Sequence, residues 1–393
     1  MTSIKQGYKQ TKVGIIPEDW EVVSLNDGVI FLDHKRKPLK DEDRQKIQGS
    51  YPYYGASGII DYVNDYIFDE ELILIGEDGA NIIDRSSRLV FLVNGKYWVN
   101  NHAHVLKAKA NLNNYFLCEY LESLKYDKYN TGTAQPKLNK EIVSNIPIIK
   151  PPLKEQEKIA EILTTWDEAI SLHVKLIEEK EQLKIGLMQK LLSGEVRFSG
   201  FCDEWKKVKL GDICNITTGT SKSQFIGEGD YYVIDMGSVS STGNLIASKK
   251  TALQKDLLQK GDLIMPKDDI GGGQIIGKVA LIEEDNKYIL GDHVFKIVTK
   301  QNSRFLLYKI NSFEVNNNLK RKVTGSAQLG LNKKNVEDLQ IYLPSLPEQQ
   351  RIAEVLSFAD DAINLLKKEL EELKQQKKGL MQKLLTGEVR VNV

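Results

Sequence analysis

The sequence predicts an α+β chain of four parts in series: a globular head at 1–150, a long helix at 151–198, a second head at 199–343 and a second long helix at 344–393, with the two helices paired as an antiparallel coiled coil. Three observations carry this reading. The segment from Pro151, PPLKEQEKIAEILTTWDEAISLHVKLIEEKEQLKIGLMQKLLSGEVRF, recurs from Pro344 as PSLPEQQRIAEVLSFADDAINLLKKELEELKQQKKGLMQKLLTGEVRV. The copies align without a gap and are identical at about 28 of about 48 positions, which marks an internal duplication. Both copies space their apolar residues three and four apart, as a helix packing on another helix requires. The remaining sequence has short apolar runs of strand size between Gly, Asn and Asp turns.

Taken in order, the first head offers ELILIGEDG and RLVFLVN as strands and Asn113 to Leu124 as its best helix. The first repeat then carries one stripe of Ile159, Leu163, Trp166, Ile170, His173, Ile177 and Leu187. The second head offers YYVIDMGSV, GDLIMPKDD and GKVALIE as strands and Ser303 to Val315 as a helix. In the second repeat Ile352, Leu356, Ala359, Ile363, Leu366, Leu370 and Leu380 take the same steps. Ser345-Leu346-Pro347-Glu348 fits a capping box, Pro151-Pro152 marks the other helix start, and Gly194 and Gly387 fit C-terminal caps. From Glu155 to Leu191 such a helix is about 55 Å long at 1.5 Å per residue. Its natural partner is its own repeat, and antiparallel pairing sets the heads at opposite ends. The duplication extends upstream, where TGTAQPKLNK from Thr131 answers TGSAQLGLNK from Thr324. Trp20, Val23 and Leu25 answer Trp205, Val208 and Leu210, and His104-Val105 answers His293-Val294.

Composition narrows the chemistry. At 41% hydrophobic and 27% charged residues the chain can bury sizeable cores, which argues against wholesale disorder. No apolar run approaches the roughly 20 residues that span a bilayer, and no apolar stretch follows the basic N-terminal residues, so a cytoplasmic protein with no membrane partner is expected. Cys118, Cys202 and Cys214 are odd in number without CxxC spacing, which favours buried small hydrophobes over disulfides or zinc. His34, His102, His104, His173 and His293 show no metal-ligand spacing, and His173 lies on the helical seam as a packed histidine. Gly272 to Val279 imitates a phosphate loop but has Val where Ser or Thr is needed and leads into a strand. Asp285-Asn286-Lys287 with Asp268 or Asp269 is only a faint nuclease-like cluster. Lys plus Arg balance Asp plus Glu at 54 each, so any nucleic-acid binding must use local patches.

Two unlike heads between two like helices, with EQ..IAE.L at each helix start and GLMQKLL.GEVR at each end, resemble the specificity subunit of a type I restriction-modification enzyme. VGIIPEDWEVVSL and SGFCDEWKKVKLGDI open the two heads and TG.AQ..LNK closes both, so the resemblance covers the full chain. It implies that each head is a target-recognition domain reading one half of a split, asymmetric double-stranded DNA site, with the helices as a ruler. It implies docking of two methylation subunits, joined by restriction subunits in the full complex. S-adenosylmethionine, ATP and magnesium are then expected in those partners, with no cofactor, metal or catalytic residue in this chain. The repeat reaches both ends of the sequence, so the termini should lie close together and close a circular, pseudo-two-fold repeat.

Candidate DNA-binding residues follow from position. Lys35, Arg36 and Lys37 form a basic cluster in the first head; Lys128 precedes Thr131, as Arg321 and Lys322 precede Thr324. Thr131, Gly132 and Gln135, with Thr324, Gly325 and Gln328, suit phosphate contacts, although a turn and cap joining head to helix explains them equally. Base reading belongs to the unshared loops, with Lys35, Arg36, Tyr54 and Ser57 in the first head and Thr220, Lys222, Ser223 and Lys267 in the second. Leu187, Met188, Leu380 and Met381 suit either a methylation-subunit interface or the helix core, as do Ile159, Leu163, Trp166, Ile170, Ile352, Leu356, Ile363 and Leu370. Two other classes stay open: a coiled-coil scaffold that binds only proteins, and a stand-alone nuclease.

Overall fold

Compactness groups each head with parts of both long helices, so that Met1–Val174 with Glu369–Val393 forms one unit and Lys175–Lys368 the other. A computed structural model describes residues 4–132, 134–270, 272–323 and 329–393, and Thr324, Gly325 and Gln328 lie outside the described residues. The first unit opens with a hairpin of β1 (Tyr8–Thr11) and β2 (Gly14–Pro17), followed by β3 (Glu21–Ser24) and β4 (Val29–Phe31). A longer hairpin of β5 (Gln48–Gly55) and β6 (Gly58–Val63) leads to β7 (Phe68–Asp69), β8 (Leu72–Gly76), β9 (Val90–Val93), β10 (Lys96–Val99), β11 (Ala103–Ala108) and β12 (Pro147–Lys150). The main sheet is antiparallel in the order β4-β11-β8-β9, and a second runs β6-β5-β10-β7 with β5 and β10 parallel. β8 is buried on both faces, which is why it reads as the unbroken apolar run LILIG. The expected helix forms over Asn114–Ser123, where the Asn113 side chain accepts the Phe116 N–H at 2.9 Å as an N-cap.

The second unit repeats the plan with different sequence. Its strands are β13 (Lys206–Lys209), β14 (Cys214–Thr218), β15 (Tyr231–Ile234), β16 (Lys250–Thr251), β17 (Leu263–Pro266), β18 (Asp268–Asp269), β19 (Ala280–Leu281), β20 (Tyr288–Leu290), β21 (Val294–Thr299), β22 (Leu329–Gly330) and β23 (Gln340–Leu343). The sheet β14-β21-β17-β19 matches β4-β11-β8-β9, the parallel pair β15 and β20 matches β5 and β10, and β13 with β23 matches β3 with β12. The helix expected over Ser303 to Val315 is instead two, Ser303–Asn311 and Phe313–Lys320. At the break the Asn311 amide is turned onto the Val279 backbone, accepting its N–H at 2.9 Å and donating to its carbonyl at 2.8 Å.

Strand register corrects the upstream alignment of the repeats. Ala103 stands opposite Gly76 and Val294 opposite Pro266, so the residue matching His293 is His102, not His104. His104 lies one place inside the strand with its ring buried, facing Asp33 through Nδ1 and the Leu138 carbonyl through Nε2.

The repeats form a central helix, Leu153–Ser193, and a C-terminal helix, Leu346–Leu384. In the first unit Ile159 and Leu163 share a core with Leu384, Leu385, Leu380 and Met381; in the second, Ile352 and Leu356 share one with Leu191, Leu192, Leu187 and Met188. The start of each helix therefore packs on the end of the other, as antiparallel pairing requires. Each of the fully buried side chains, such as Ile159, Leu163, Ile352 and Leu356, contributes about 1.5–3 kcal/mol. Toward mid-helix the seam turns polar, with Asp167–Lys377 and His173–Glu369 in the first unit and Glu181–Lys367 in the second. Trp166 and Ile170 are half-buried, whereas Ile363 and Leu370 are buried. Gly194 and Gly387 take the left-handed conformation expected of C-terminal caps. The capping box does not form: Glu348 is drawn away to Arg197 and Trp205. Of the cysteines, Cys118 is buried but Cys202 is exposed, which corrects the expectation for it.

Candidate nucleic-acid interface

Both helix starts hold the same buried polar fastening, and it explains the EQ pair of the repeat. Glu155 is buried and takes the Trp20 indole N–H at 2.9 Å and the Arg390 guanidinium at 2.6 and 2.9 Å. Glu348, equally buried, takes the Trp205 indole at 3.2 Å and the Arg197 guanidinium at 2.8 Å twice. Arg197 follows the central helix, whereas Arg390 follows the C-terminal one, so the end of the chain does for the first unit what the middle does for the second. Tyr8 also donates to the Gly387 carbonyl at 2.8 Å, so segments near both ends of the sequence meet, as expected of a circular repeat. The neighbouring Gln156 and Gln349 fix the head helices: each accepts the backbone N–H of an N-cap residue, Asn113 or Asn302. A second fastening joins Tyr115, Asp167 and Lys377, and Tyr308, Asp360 and Lys184 repeat it with the tyrosine one turn further along its helix. Each head is thereby tied to both helices of its unit.

These ties leave one rim of each main sheet to carry variable loops. In the first unit the chain leaving β8 meets the chain entering β11: the Glu77 N–H donates to the His102 carbonyl at 2.8 Å, and the Glu77 carbonyl accepts the Leu138 N–H at 2.7 Å. In the second, Lys267 stands at that place, with the same bonds to His293 at 3.0 Å and Leu331 at 2.7 Å. One residue on, Asp78 bridges to Lys137 and takes His102 Nδ1 at 2.7 Å; Asp268 pairs with Gly330 and takes His293 Nδ1 at 2.6 Å. Lys137 and Leu138, near the end of the first TG.AQ..LN segment, are thus clasped to the rim, as Gly330 and Leu331 are in the second unit. Closure of the first segment is local, since the Asn130 side chain accepts the N–H groups of Gly132 and Lys137.

The structure gathers most of the expected first-head residues at this rim. Lys35 and Lys37 are exposed beside it, and Ser57 is exposed at the β5–β6 turn, whose Ala56 carbonyl lies so near Gly76 that an added Cβ would stand 2.4 Å away. Thr131 and Gln135 are exposed on the clasped loop and Gly132 is half-buried there. Arg36 differs: its guanidinium is held by Glu77 and the Ala103 carbonyl, both at 2.8 Å, so its charge is met internally. Tyr54 is half-buried, stacked on Phe91 with ring centroids 5.9 Å apart, and burial pushes its phenol pKa up. Lys128 is exposed on the approach to the loop, over the Tyr129 ring. Beneath the rim, burial works against the Asp33 carboxylate, but hydrogen bonds from His104 and the Val105 N–H, with Arg36 nearby, hold its pKa below the ordinary carboxylate range.

In the second unit Thr220 and Ser223 are exposed on the loop after β14, while Lys222 is buried and pinned between Thr220 and Asp256 at 2.7 Å each. This loop meets the rim where Gly219 presses on the Gly291 carbonyl. Lys267 is half-buried on the rim itself; Arg321 is exposed and Lys322 half-buried just before the segment that is not described. Leu187, Met188, Leu380 and Met381 are partly buried against the two cores. The His102–Asp78 and His293–Asp268 pairs escaped sequence reasoning, because identity of His-Val dipeptides pointed to the wrong histidine.

A family model for the type I restriction modification DNA specificity domain matches residues 17–182 and again 202–375. The type I restriction enzyme MjaVIII specificity subunit of Methanocaldococcus jannaschii is 29% identical, with 100% of this chain and 99% of the relative covered. Among solved structures, the S subunit of a type I restriction-modification system from M. genitalium superposes with a TM-score of 0.61 at 17% identity, covering 95% of this chain and 96% of the other. A structure from work on complex assembly and conformational transition of the type I system superposes at 0.58 and 16% identity, covering 95% and 99%. At these identities the structural likeness concerns the fold. Among the described residues, no helix is long and apolar enough to cross a membrane.

Proposed function

This chain belongs to the family carrying the type I restriction modification DNA specificity domain, and from that premise we propose that its two heads read the two unlike halves of one split DNA site. Its role is that of a DNA sequence-specificity subunit. The observation that carries the proposal is the rim built twice from the same backbone bonds but dressed with different loops. A symmetric dimer meets a palindrome with identical faces; one chain with a duplicated frame and unlike loops suits an asymmetric, bipartite site. Lys35, Lys37, Tyr54 and Ser57 in the first head and Thr220, Ser223 and Lys267 in the second are the base-reading candidates, with Arg36 and Lys222 organising the loops that present them. Lys128, Thr131, Gly132 and Gln135, with Arg321, Lys322, Thr324, Gly325 and Gln328, supply phosphate contacts that set position.

The helices act as a spacer and as the dock for two methylation subunits, with restriction subunits added in the full complex. Gly186 and Gly379 support docking: each occupies the same step of its repeat, and a Cβ there would meet nothing within 4 Å. Interior glycine costs a helix about 1 kcal/mol against alanine, so a glycine kept in both copies without an internal reason suits close approach by a partner. Methylation and cleavage, with their S-adenosylmethionine, ATP and magnesium, belong to those partners. The test deletes residues 170–176 and 363–369 together, which shortens each helix by about 10 Å and nearly preserves its facing. Sequencing of modified bases should then show a gap shorter by roughly one to three base pairs with both half-sites intact. Altered half-sites with an unaltered gap would overturn the spacer. Sequence-specific retention of DNA that persists without this chain would favour a purely protein-binding scaffold.

A further inference from the structure

We propose that His102 and His293 are matched anchors for DNA phosphate, one in each head, acting through their Nε2 atoms; this rests on the DNA-specificity reading above. Both imidazoles precede the strand that centres the main sheet, both have Nδ1 on an aspartate of the opposite rim, and both side chains are about half exposed, at 49% and 47%. An aspartate accepting from Nδ1–H fixes the ring and leaves Nε2 pointing outward. Among the described residues Nε2 of His102 has no hydrogen-bond partner, and that of His293 is 3.7 Å from Asp292, beyond hydrogen-bonding distance. A neutral ring so fixed offers only a lone pair at Nε2. Taking up a proton turns that atom into a charge-assisted donor, which suits a phosphate oxygen.

Duplication decides what these rings recognise. The loops around them differ in sequence between the heads, so a device present in both must address what both half-sites share, and that is the sugar-phosphate backbone. Surrounding charges permit it. Around His102, Asp78 is already engaged by Nδ1 at 2.7 Å, and Glu77 is held by Arg36 at 2.8 Å and Lys137 at 3.5 Å. Beside His293, Asp268 is engaged by Nδ1 at 2.6 Å and Asp292 lies 3.7 Å from Nε2, while Lys267 is joined to the His293 carbonyl through its backbone N–H.

The experiment uses the full chain with its methylation subunits and a labelled duplex bearing the motif found by modified-base sequencing. Affinity is measured over a range of salt at about pH 6 and about pH 8, spanning the usual titration of imidazole. The wild-type complex should bind more tightly at the lower pH. His102→Gln and His293→Gln should each weaken binding about tenfold at the lower pH, as loss of a charge-assisted hydrogen bond implies. Each should also reduce the slope of log affinity against log salt by about 0.9 and leave the methylated motif unchanged. Histidine variants with unchanged affinity, salt slope and pH dependence would overturn the assignment, as would an altered half-site. A wild-type complex that fails to retain the duplex would instead overturn the DNA reading, and the anchors with it.

Discussion

Replacing Gln156 by leucine isolates how a head is locked to its helix. The side chain is fully buried; its Nε2 donates to the Pro151 carbonyl at 2.7 Å and the Asn111 carbonyl at 3.2 Å, and its Oε1 accepts the Asn113 N–H at 2.9 Å. Leucine has similar volume and no polar atom, so the change removes hydrogen bonds with little change in packing. Each buried group left without a partner costs about 1–3 kcal/mol. The Pro151 carbonyl and the Asn113 N–H lose good bonds and the Asn111 carbonyl a longer one, so a total of about 3–4 kcal/mol is expected. Asn113 caps the helix that packs against the main sheet, and its disturbance should speed hydrogen exchange at Asn113 and Phe116 first. Urea unfolding followed by tryptophan fluorescence gives the free energy, with Gln189→Ala as an exposed control expected within about 0.5 kcal/mol of wild type. Gln349→Leu should act likewise in the other unit, where Gln349 donates to the Pro344 carbonyl at 2.9 Å and accepts the Asn302 N–H at 3.1 Å. Gln156→Leu within 0.5 kcal/mol of its control would refute the reasoning.

The two kinds of helix glycine should respond in opposite senses. Gly387→Ala meets a left-handed backbone with φ of 72° and a Cβ 2.5 Å from Pro17, and should lower stability by about 1–3 kcal/mol in thermal unfolding, whereas Gly379→Ala, in open space, should raise it by up to about 1 kcal/mol. Asp33 has its folded pKa depressed, so its stabilisation is present above the ordinary carboxylate value near 3.9 and is lost as pH falls through the folded value. The stability gap between wild type and Asp33→Asn, followed by urea unfolding, should accordingly shrink below about pH 4. A chain with its termini joined by a short linker and reopened between Ser199 and Gly200, both exposed, should keep the wild-type circular dichroism spectrum and cooperative melt.

The long helices were legible because a stripe at helical period is a local signal, and the duplication repeated it. Strands such as LILIG were legible for the same reason. The fastenings were not: Glu348 reads locally as part of a capping box, and its true partners, Trp205 and Arg197, lie 143 and 151 residues away. The basic cluster at Lys35 to Lys37 was legible as a segment, but sequence does not tell Lys35 from Arg36, one exposed and the other committed to Glu77. Nor does it tell which of two histidines matches His293, because the register is set by hydrogen bonds between β8 and β11, whose sequences carry no mark of it.

What the two copies keep and what they lose follows from where polar groups are buried. Glu155 and Glu348, Gln156 and Gln349, and Asp167 and Asp360 each hold groups from at least two other segments of the chain. A change at any of them leaves a partner unsatisfied in a second place, which a single compensating substitution does not repair. The rim loops are fastened differently. Their junctions are made by main-chain bonds, as at Glu77 and Lys267, where a glutamate and a lysine occupy one place with the same hydrogen bonds. Backbone fastening leaves the side chain free to vary, even in charge. The frame can thus stay fixed while the surface it presents changes, a property suited to a specificity subunit and one that residue-by-residue alignment of the heads does not reveal.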